Sequence, residues 1–162
     1  MLTNEQFIQL ADKHLDMVYR IAYNAVKHPS DADDVTQNVM LRLCRAAPDF
    51  ASEEHAKCWL IRVALNESKR LVTSAWRQKI VPLEEQTVAP IPFDTQEESA
   101  LFAEVMKLPA KYRVPLYLYY YEGYAVAEIA ELLSAKESTI QTRLARARAK
   151  LKLTLTEEWN HA

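Results

Sequence analysis

Apolar residues recur every three or four positions over much of the chain, which is the spacing of amphipathic helices. A capping box over Thr3–Gln6 begins a first helix, and His28–Pro29 ends it. Ser30 is predicted to cap a second helix with an acidic first turn, and a third runs from Ser52 toward Lys79. The apolar stripes of these three helices are Phe7, Leu10, Ala11, Val18, Ala22 and Ala25; Ala32, Val35, Val39 and Leu43; and Ala56, Trp59, Leu60, Val63 and Ala64.

The second half of the chain predicts four more helical segments. One lies near 95–106, and Pro109 begins another that ends near Tyr121, before Gly123 at a position that favours positive φ. The last two span 126–133 and 137–152.

A segment without helical periodicity separates the two sets of helices. Residues 80–94, IVPLEEQTVAPIPFD, contain three prolines, which favour an extended chain. The sequence therefore predicts an all-α protein of two small helical modules, 1–79 and 97–162, joined by an extended acidic linker over 80–96.

Composition excludes several classes of protein. The single glycine leaves no P-loop, no dinucleotide-binding turn and no nucleophile elbow, since each needs several glycines at fixed spacing. Cys44 and Cys58 form no C-x-x-C pair and no disulfide framework. The N-terminus lacks the pattern of a signal peptide and no run approaches 18 apolar residues, so we expect a cytoplasmic protein.

The net charge of −2 is the sum of segments of opposite sign. Residues 57–79 and 136–152 each carry six basic residues and one acidic residue, while 80–104 carry six acidic residues and no basic one. Two basic segments separated by an acidic one indicate nucleic-acid contact in two places.

Residues 123–152 have the pattern of a helix-turn-helix. A short helix is followed by a turn over Ser134–Lys136 and by a longer helix. The inner stripe of that longer helix is Ile140, Leu144, Ala147 and Leu151, and its opposite line is Ser138, Thr142, Ala145 and Ala149. Small residues on the outer line allow a helix to enter the major groove, and flanking cations reach phosphates. Gln141 and Arg143 are candidates for reading adenine and guanine. The alternative is an ordinary helix with a solvated basic face.

The motifs in both modules resemble those of extracytoplasmic-function sigma factors, group 4 of the sigma-70 family. Region 4 is matched by L-P-x-K-Y-R at 108–113, by Y-Y-Y-E-G-Y at 119–124 and by the segments E-I-A-E-L-L and S-T-I-x-x-R-L-x-R-A-R-x-K-L at 128–133 and 138–151. Region 2 is matched by D-A-x-D-x-x-Q at 31–37, with L-R-L at 41–43, W-L-I-R-V-A-x-N at 59–66 and W-R-x-K at 76–79. The motifs occur in the family's order, with no region 3 between the modules.

The resemblance implies a protein that binds core RNA polymerase and directs it to promoters. Implied −35 contacts are Lys136, Ser138, Thr139, Gln141, Thr142, Arg143, Arg146, Arg148 and Lys150. Implied contacts to melted −10 DNA are Arg62, Asn66, Lys69, Arg70, Trp76 and Arg77. The implied docking surface for the polymerase is Asp33, Asp34, Gln37, Asn38 and Leu41. Family members are commonly held by an anti-sigma factor, often anchored in the membrane, and the family's linker runs through the polymerase.

The chain departs from the family pattern at three positions. The family often has an aromatic residue near Cys44, a glycine near Ser134 and an aspartate near Arg70. Ser134 must therefore adopt the turn without the conformational freedom of glycine. Arg70 leaves the detailed −10 contacts open.

Two other functions remain as alternatives. One is a stand-alone helix-turn-helix transcriptional regulator that uses the second module alone. The other is a helical enzyme or metal sensor, which rests only on Cys44, His55 and Cys58, too few ligands for a structural zinc site. No Ser/His/Asp set or carboxylate pair stands out, so the sequence predicts a protein that is not an enzyme, without cofactor or metal. Trp59 lies on an apolar stripe and is expected in the core, whereas Trp76 is expected to face nucleic acid.

Overall fold

The structure, a computed structural model, describes the backbone of residues 2–77 and 102–160 and the side chains of residues 2–73 and 102–153. Every regular element in these residues is an α-helix, as the sequence predicts. The chain divides into two units, Met1–Ala89 and Pro90–Ala162. The predicted linker over 80–96 lies outside the described residues, as do the side chains of Trp76 and Arg77.

The first unit is built from three helices that pack against one another, α1 (Asn4–Val26), α2 (Pro29–Ala46) and α3 (Glu53–Arg77). Each helix contributes one apolar stripe to a shared core. The side chains that are almost completely buried there include Val18, Ile21, Val35, Val39, Leu43, Leu60 and Ile61. None of the described helices is long and apolar enough to cross a membrane.

Of the two caps that the sequence predicts in this unit, the one at Thr3 is present and the one at Ser30 is not. Thr3 Oγ1 accepts a hydrogen bond from the Gln6 backbone N–H at 3.1 Å, and the Gln6 side chain returns one to Thr3. Ser52 Oγ accepts from the His55 N–H at 3.1 Å. The predicted cap at Ser30 is wrong, because α2 already begins at Pro29. Proline has a suitable φ for the first helical position and no N–H to satisfy.

The second unit contains a helical segment at 102–106 and the helices α4 (Ala110–Tyr120), α5 (Val126–Leu132) and α6 (Glu137–Asn160). Helix α6 packs on both α4 and α5. The buried side chains at these contacts include Leu118, Ile129, Ala130, Ile140, Leu144 and Ala147. Leu132 is buried, and Leu133, the C-cap residue of α5, is half-buried.

Two residues with left-handed backbone set the turns on either side of α5. Gly123 has φ of +76° and Ser134 has φ of +53°, as expected from their positions in the sequence. After Ser134, the Ala135 N–H donates to the Ala130 carbonyl at 2.9 Å. The helix-turn-helix is therefore formed with a serine at a position that favours glycine.

Candidate nucleic-acid and polymerase interfaces

Helix α6 exposes a line of small residues opposite its buried stripe. Ser138, Thr142, Ala145 and Ala149 are exposed, while Ile140, Leu144 and Ala147 on the other side are buried. Thr142 Oγ1 donates a hydrogen bond to the Ser138 carbonyl at 2.9 Å. Because that bond uses the hydroxyl proton, Thr142 presents oxygen lone pairs or its methyl group to a ligand.

A cleft of about 380 Å³ lies on one flank of this exposed line. Lys111 and Tyr112 of α4 form one wall of the cleft. The residues of α6 that line it are Ser138, Thr139, Thr142, Arg143 and Arg146. Five of the predicted −35 residues therefore surround one cleft, together with two residues that the sequence assigned only to a family motif.

Tyr112 is the centre of a cationic cluster at this cleft. Its side chain is buried, and Arg146 and Lys111 both interact with its hydroxyl. The ammonium groups of Lys111 and Lys150 lie 5.1 Å and 5.7 Å from its ring centroid. Burial acts to raise the pKa of Tyr112, but Lys111 and Arg146 outweigh it and lower the pKa below the ordinary value of 10.0.

Arg148 lies on the other flank of α6, against aromatic residues of α4. Its Nε donates a hydrogen bond to the Tyr120 hydroxyl, and its guanidinium lies 5.5 Å from the Tyr119 ring centroid and 5.4 Å from that of Tyr120. In the sequence, the run of tyrosines at 119–121 indicates an aromatic surface on α4, but it does not indicate that Arg148 contacts it. Among the predicted −35 residues, Arg148 is thus held by the protein's own aromatic side chains.

The remaining −35 residues lie at the start of α6. Lys136 and Gln141 are exposed. The Lys136 carbonyl accepts a hydrogen bond from the Ile140 N–H at 3.1 Å, so Lys136 immediately precedes the first turn. Both side chains therefore lie near the end of α6 that a helix-turn-helix presents to base edges.

Four predicted −10 residues share an exposed face of α3. They are Arg62, Asn66, Lys69 and Arg70, spaced as neighbours on one side of a helix. Arg70 also contacts a residue of its own helix, since its Nη1 lies 3.3 Å from Glu67 Oε1. The same carboxylate oxygen lies 3.4 Å from Arg42 Nε of α2, and only 8% of Glu67 is exposed. Glu67 therefore links two arginines from different helices, a role that the sequence did not indicate.

Trp59 is half-buried on α3 rather than displayed on this face. Its ring makes an edge contact with Phe50 at a centroid distance of 5.7 Å. This contact supports the expectation that Trp59 packs within the protein rather than against nucleic acid.

The predicted polymerase surface forms one exposed face of α2. Its members, Asp33, Asp34, Gln37, Asn38 and Leu41, are all exposed, while the opposite stripe of α2 is buried. Leu41 is 48% exposed although it is apolar. A polar and acidic face with an exposed leucine is suited to binding another protein.

Two of the three residues proposed for a metal sensor, His55 and Cys58, make local contacts. Cys58 Sγ donates a weak hydrogen bond to Glu54 at 3.6 Å, and His55 Nδ1 accepts one from the Ala51 N–H at 3.0 Å. Within the described ranges, no group of three or more His, Cys, Asp or Glu side chains is arranged to hold a metal ion.

Family models and known proteins match both units. The models for Sigma-70 region 2 and Sigma-70 region 4 match residues 10–78 and 99–151. The chain is 32% identical over 148 residues to the ECF RNA polymerase sigma factor SigM of Mycobacterium tuberculosis, covering 90% of this chain and 74% of that protein. It is 30% identical over 156 residues to SigL of the same species, covering 91% and 88%.

Solved structures share the fold. The sigma factor RpoE from Bartonella quintana, in complex with the anti-sigma factor NepR, has a TM-score of 0.76 at 19% identity, over 93% of this chain and 96% of that one. CnrH, in complex with the cytosolic domain of CnrY, has a TM-score of 0.62 at 24% identity, over 96% and 90%. Taken with the sequence relatives and both region models, the findings show that this chain belongs to the ECF RNA polymerase sigma factors, the family of transcription regulators that directs promoter-specific initiation.

Proposed function

We propose that this sigma factor docks on core RNA polymerase through the exposed face of α2, reads duplex −35 DNA with α6 and holds melted −10 DNA on α3. Its functional domains are residues 1–79 for the polymerase and the −10 element, 80–96 as the linker and 97–162 for the −35 element. It works in the cytoplasm, where the polymerase carries out the chemistry and this chain supplies no catalytic group.

The exposed line of α6 is the observation that carries the −35 assignment. A helix must approach the floor of the major groove closely, and Ser138, Thr142, Ala145 and Ala149 project little beyond its backbone. Cations flank the line: Arg143, Arg146 and Lys150 on one side and Lys152 on the other. Gln141 and Arg143, near the start of the helix, are the proposed base readers.

The −10 assignment rests on the cationic and amide groups along α3. Melted DNA needs positive charge for its backbone and hydrogen-bonding or stacking groups for its bases. Arg62, Lys69 and Arg70 provide charge, and Asn66 can pair with a base edge. Trp76 and Arg77 complete the proposed set from the sequence.

The polymerase assignment rests on the contrast between the two faces of α2. Its acidic and amide residues stay exposed while the opposite stripe fills the core, so the face is available to a basic partner surface. The similar structures contain RpoE with an anti-sigma factor and CnrH with the cytosolic domain of CnrY. We propose that an anti-sigma factor, which in this family is often anchored in the membrane, binds this chain as well.

Run-off transcription tests the proposal directly. Purified chain and core polymerase are incubated with genomic fragments, and we expect specific transcripts that require the chain. DNA binding without initiation would instead favour a stand-alone helix-turn-helix regulator.

A core-binding assay tests the docking face separately. Gln37→Ala and Leu41→Ala together should weaken binding to core polymerase by about tenfold or more, which corresponds to about 1.4 kcal/mol. Asp12→Ala, which alters an exposed acid of α1, is the matched control. Equal affinities for all three proteins would rule out the α2 face as the docking surface.

A further inference from the structure

The cleft beside α6 gathers positive charge from two parts of the chain that are distant in sequence. Lys111 comes from the start of α4, and Arg143 and Arg146 come from α6. The other described residues that line the cleft carry hydroxyl groups, and none of the lining residues carries a carboxylate. A pocket lined by three cations, with no competing acid, fits a phosphate group.

The position of the cleft indicates where that phosphate comes from. Ser138 and Thr142 belong both to the cleft and to the exposed line of α6. A duplex whose major groove receives this line therefore places its backbone along the flank on which the cleft opens. Lys111 is on this flank although it lies outside the helix-turn-helix.

Tyr112 has a different role at the same cleft. Tyr112 and Arg146 line the same cleft, the Tyr112 side chain is buried, and its hydroxyl interacts with Arg146. The long Arg146 side chain is thereby restricted before any ligand binds, which lowers the entropy that binding must remove.

We propose that this cleft binds one phosphate of the DNA backbone beside the −35 major groove, with Lys111 as a direct contact and Tyr112 as the residue that positions Arg146. The inference rests on the proposed −35 function of α6. It adds a phosphate contact from α4 to the helix-turn-helix and assigns Arg146 to the backbone rather than to a base.

Salt dependence of DNA binding tests the contact. The full chain, alone and as holoenzyme, is titrated with a random-sequence duplex at several KCl concentrations. Lys111→Ala should weaken binding and make the slope of log K against log salt shallower by about 0.9, the value for one lost phosphate contact. Lys107→Ala is the matched control, because Lys107 is exposed, lies outside the cleft and pairs with Glu104 at 2.9 Å. An unchanged slope for Lys111→Ala overturns the proposal, as does the absence of duplex binding by both forms of the wild-type protein.

Tyr112→Phe tests the positioning role. The variant keeps the ring and removes only the hydroxyl, so we expect about twofold to tenfold weaker binding with an unchanged salt slope. Unaltered affinity for Tyr112→Phe would exclude that role.

Two further measurements separate this inference from its alternatives. Inorganic phosphate, titrated at constant ionic strength, should bind only weakly. Tight binding that Lys111→Ala abolishes, with the DNA slope unchanged, would instead assign the cleft to a free anion. If the wild-type chain supports no promoter-specific transcription in the run-off assay but Lys111→Ala still changes the salt slope, the proposed function is wrong and the phosphate site remains. If the chain supports specific transcription but Lys111→Ala leaves the slope unchanged, the phosphate site is wrong and the proposed function remains.

Discussion

Arg148 of α6 donates a hydrogen bond to the hydroxyl of Tyr120 on α4, across 28 residues of sequence. The guanidinium also faces the rings of Tyr119 and Tyr120 at 5.5 Å and 5.4 Å. This contact joins α6 to α4 on the flank of α6 opposite the cleft. It gives a structural role to a side chain that the sequence assigned to DNA.

Replacing Arg148 should therefore affect the fold of the second unit. Arg148→Ala is expected to lower the free energy of unfolding by about 0.5–1.5 kcal/mol, since it removes an exposed cation–π contact and a hydrogen bond. Urea unfolding of the second unit measures this change. Lys152→Ala, at an exposed cation four positions later, should leave stability within about 0.5 kcal/mol of the wild type. Equal stability of the two variants would contradict the structural role.

Arg143 should affect recognition at one base pair. If its guanidinium reads guanine, Arg143→Ala costs about 1–3 kcal/mol on the promoter with that base pair and relaxes the preference there. Binding to promoter duplexes that vary one position at a time measures the effect. The same loss on every sequence would show that Arg143 contacts only the backbone.

The left-handed turn at Ser134 should be improved by glycine. A non-glycine residue in this conformation costs about 1–2 kcal/mol, and the extra backbone entropy of glycine offsets about 0.5–1 kcal/mol of the gain. Ser134→Gly should therefore raise the free energy of unfolding of the second unit by roughly 0.5–1 kcal/mol, measured in urea. Ala135→Gly is the matched control and should be destabilising, because Ala135 does not have positive φ. A loss of stability in Ser134→Gly would show that the serine side chain contributes to the turn.

The carboxylate of Glu67 should stabilise the contact between α2 and α3. Glu67→Gln removes the negative charge that Arg42 and Arg70 share and is expected to lower the free energy of unfolding by about 1–2 kcal/mol. This value is at the low end for charged hydrogen bonds because both arginines are largely exposed. Hydrogen exchange of buried amides in α2 and α3 reports the first unit alone. Glu54→Gln, at an exposed acid of α3, is the control, and equal exchange in both variants would argue against the link.

The hydroxyl of Tyr112 should ionise at a lower pH than that of an ordinary tyrosine. The pKa of Tyr112 is lower in the folded state than in the unfolded state. Ionisation of Tyr112 therefore stabilises the folded protein fully above the unfolded-state pKa near 10.0, and this stabilisation is lost as the pH falls through the folded-state pKa. It is absent at neutral pH. Tyrosinate absorbance measures the titration: Tyr112→Phe should remove a step below the ordinary value, and Lys111→Ala should move that step to higher pH. A titration with no step below the ordinary value would contradict the cationic environment.

The sequence by itself determined the helices, a part of their buried stripes and the family. Helical periodicity determines which side chains of one helix share a face, so the buried stripe of α2 and the outer line of α6 followed from spacing alone. The order of the region 2 and region 4 motifs indicated the sigma-factor family before any contact was known, and the family models and relatives confirmed it.

Only the tertiary structure decided which residues of different helices meet. Periodicity within α6 does not indicate that Arg148 contacts Tyr120 on one side, while Arg146 shares a cleft with Tyr112 on the other. It likewise does not place Glu67 between Arg42 and Arg70. These contacts depend on how the helices cross, which is fixed by the packing of their buried side chains rather than by the pattern along any one of them.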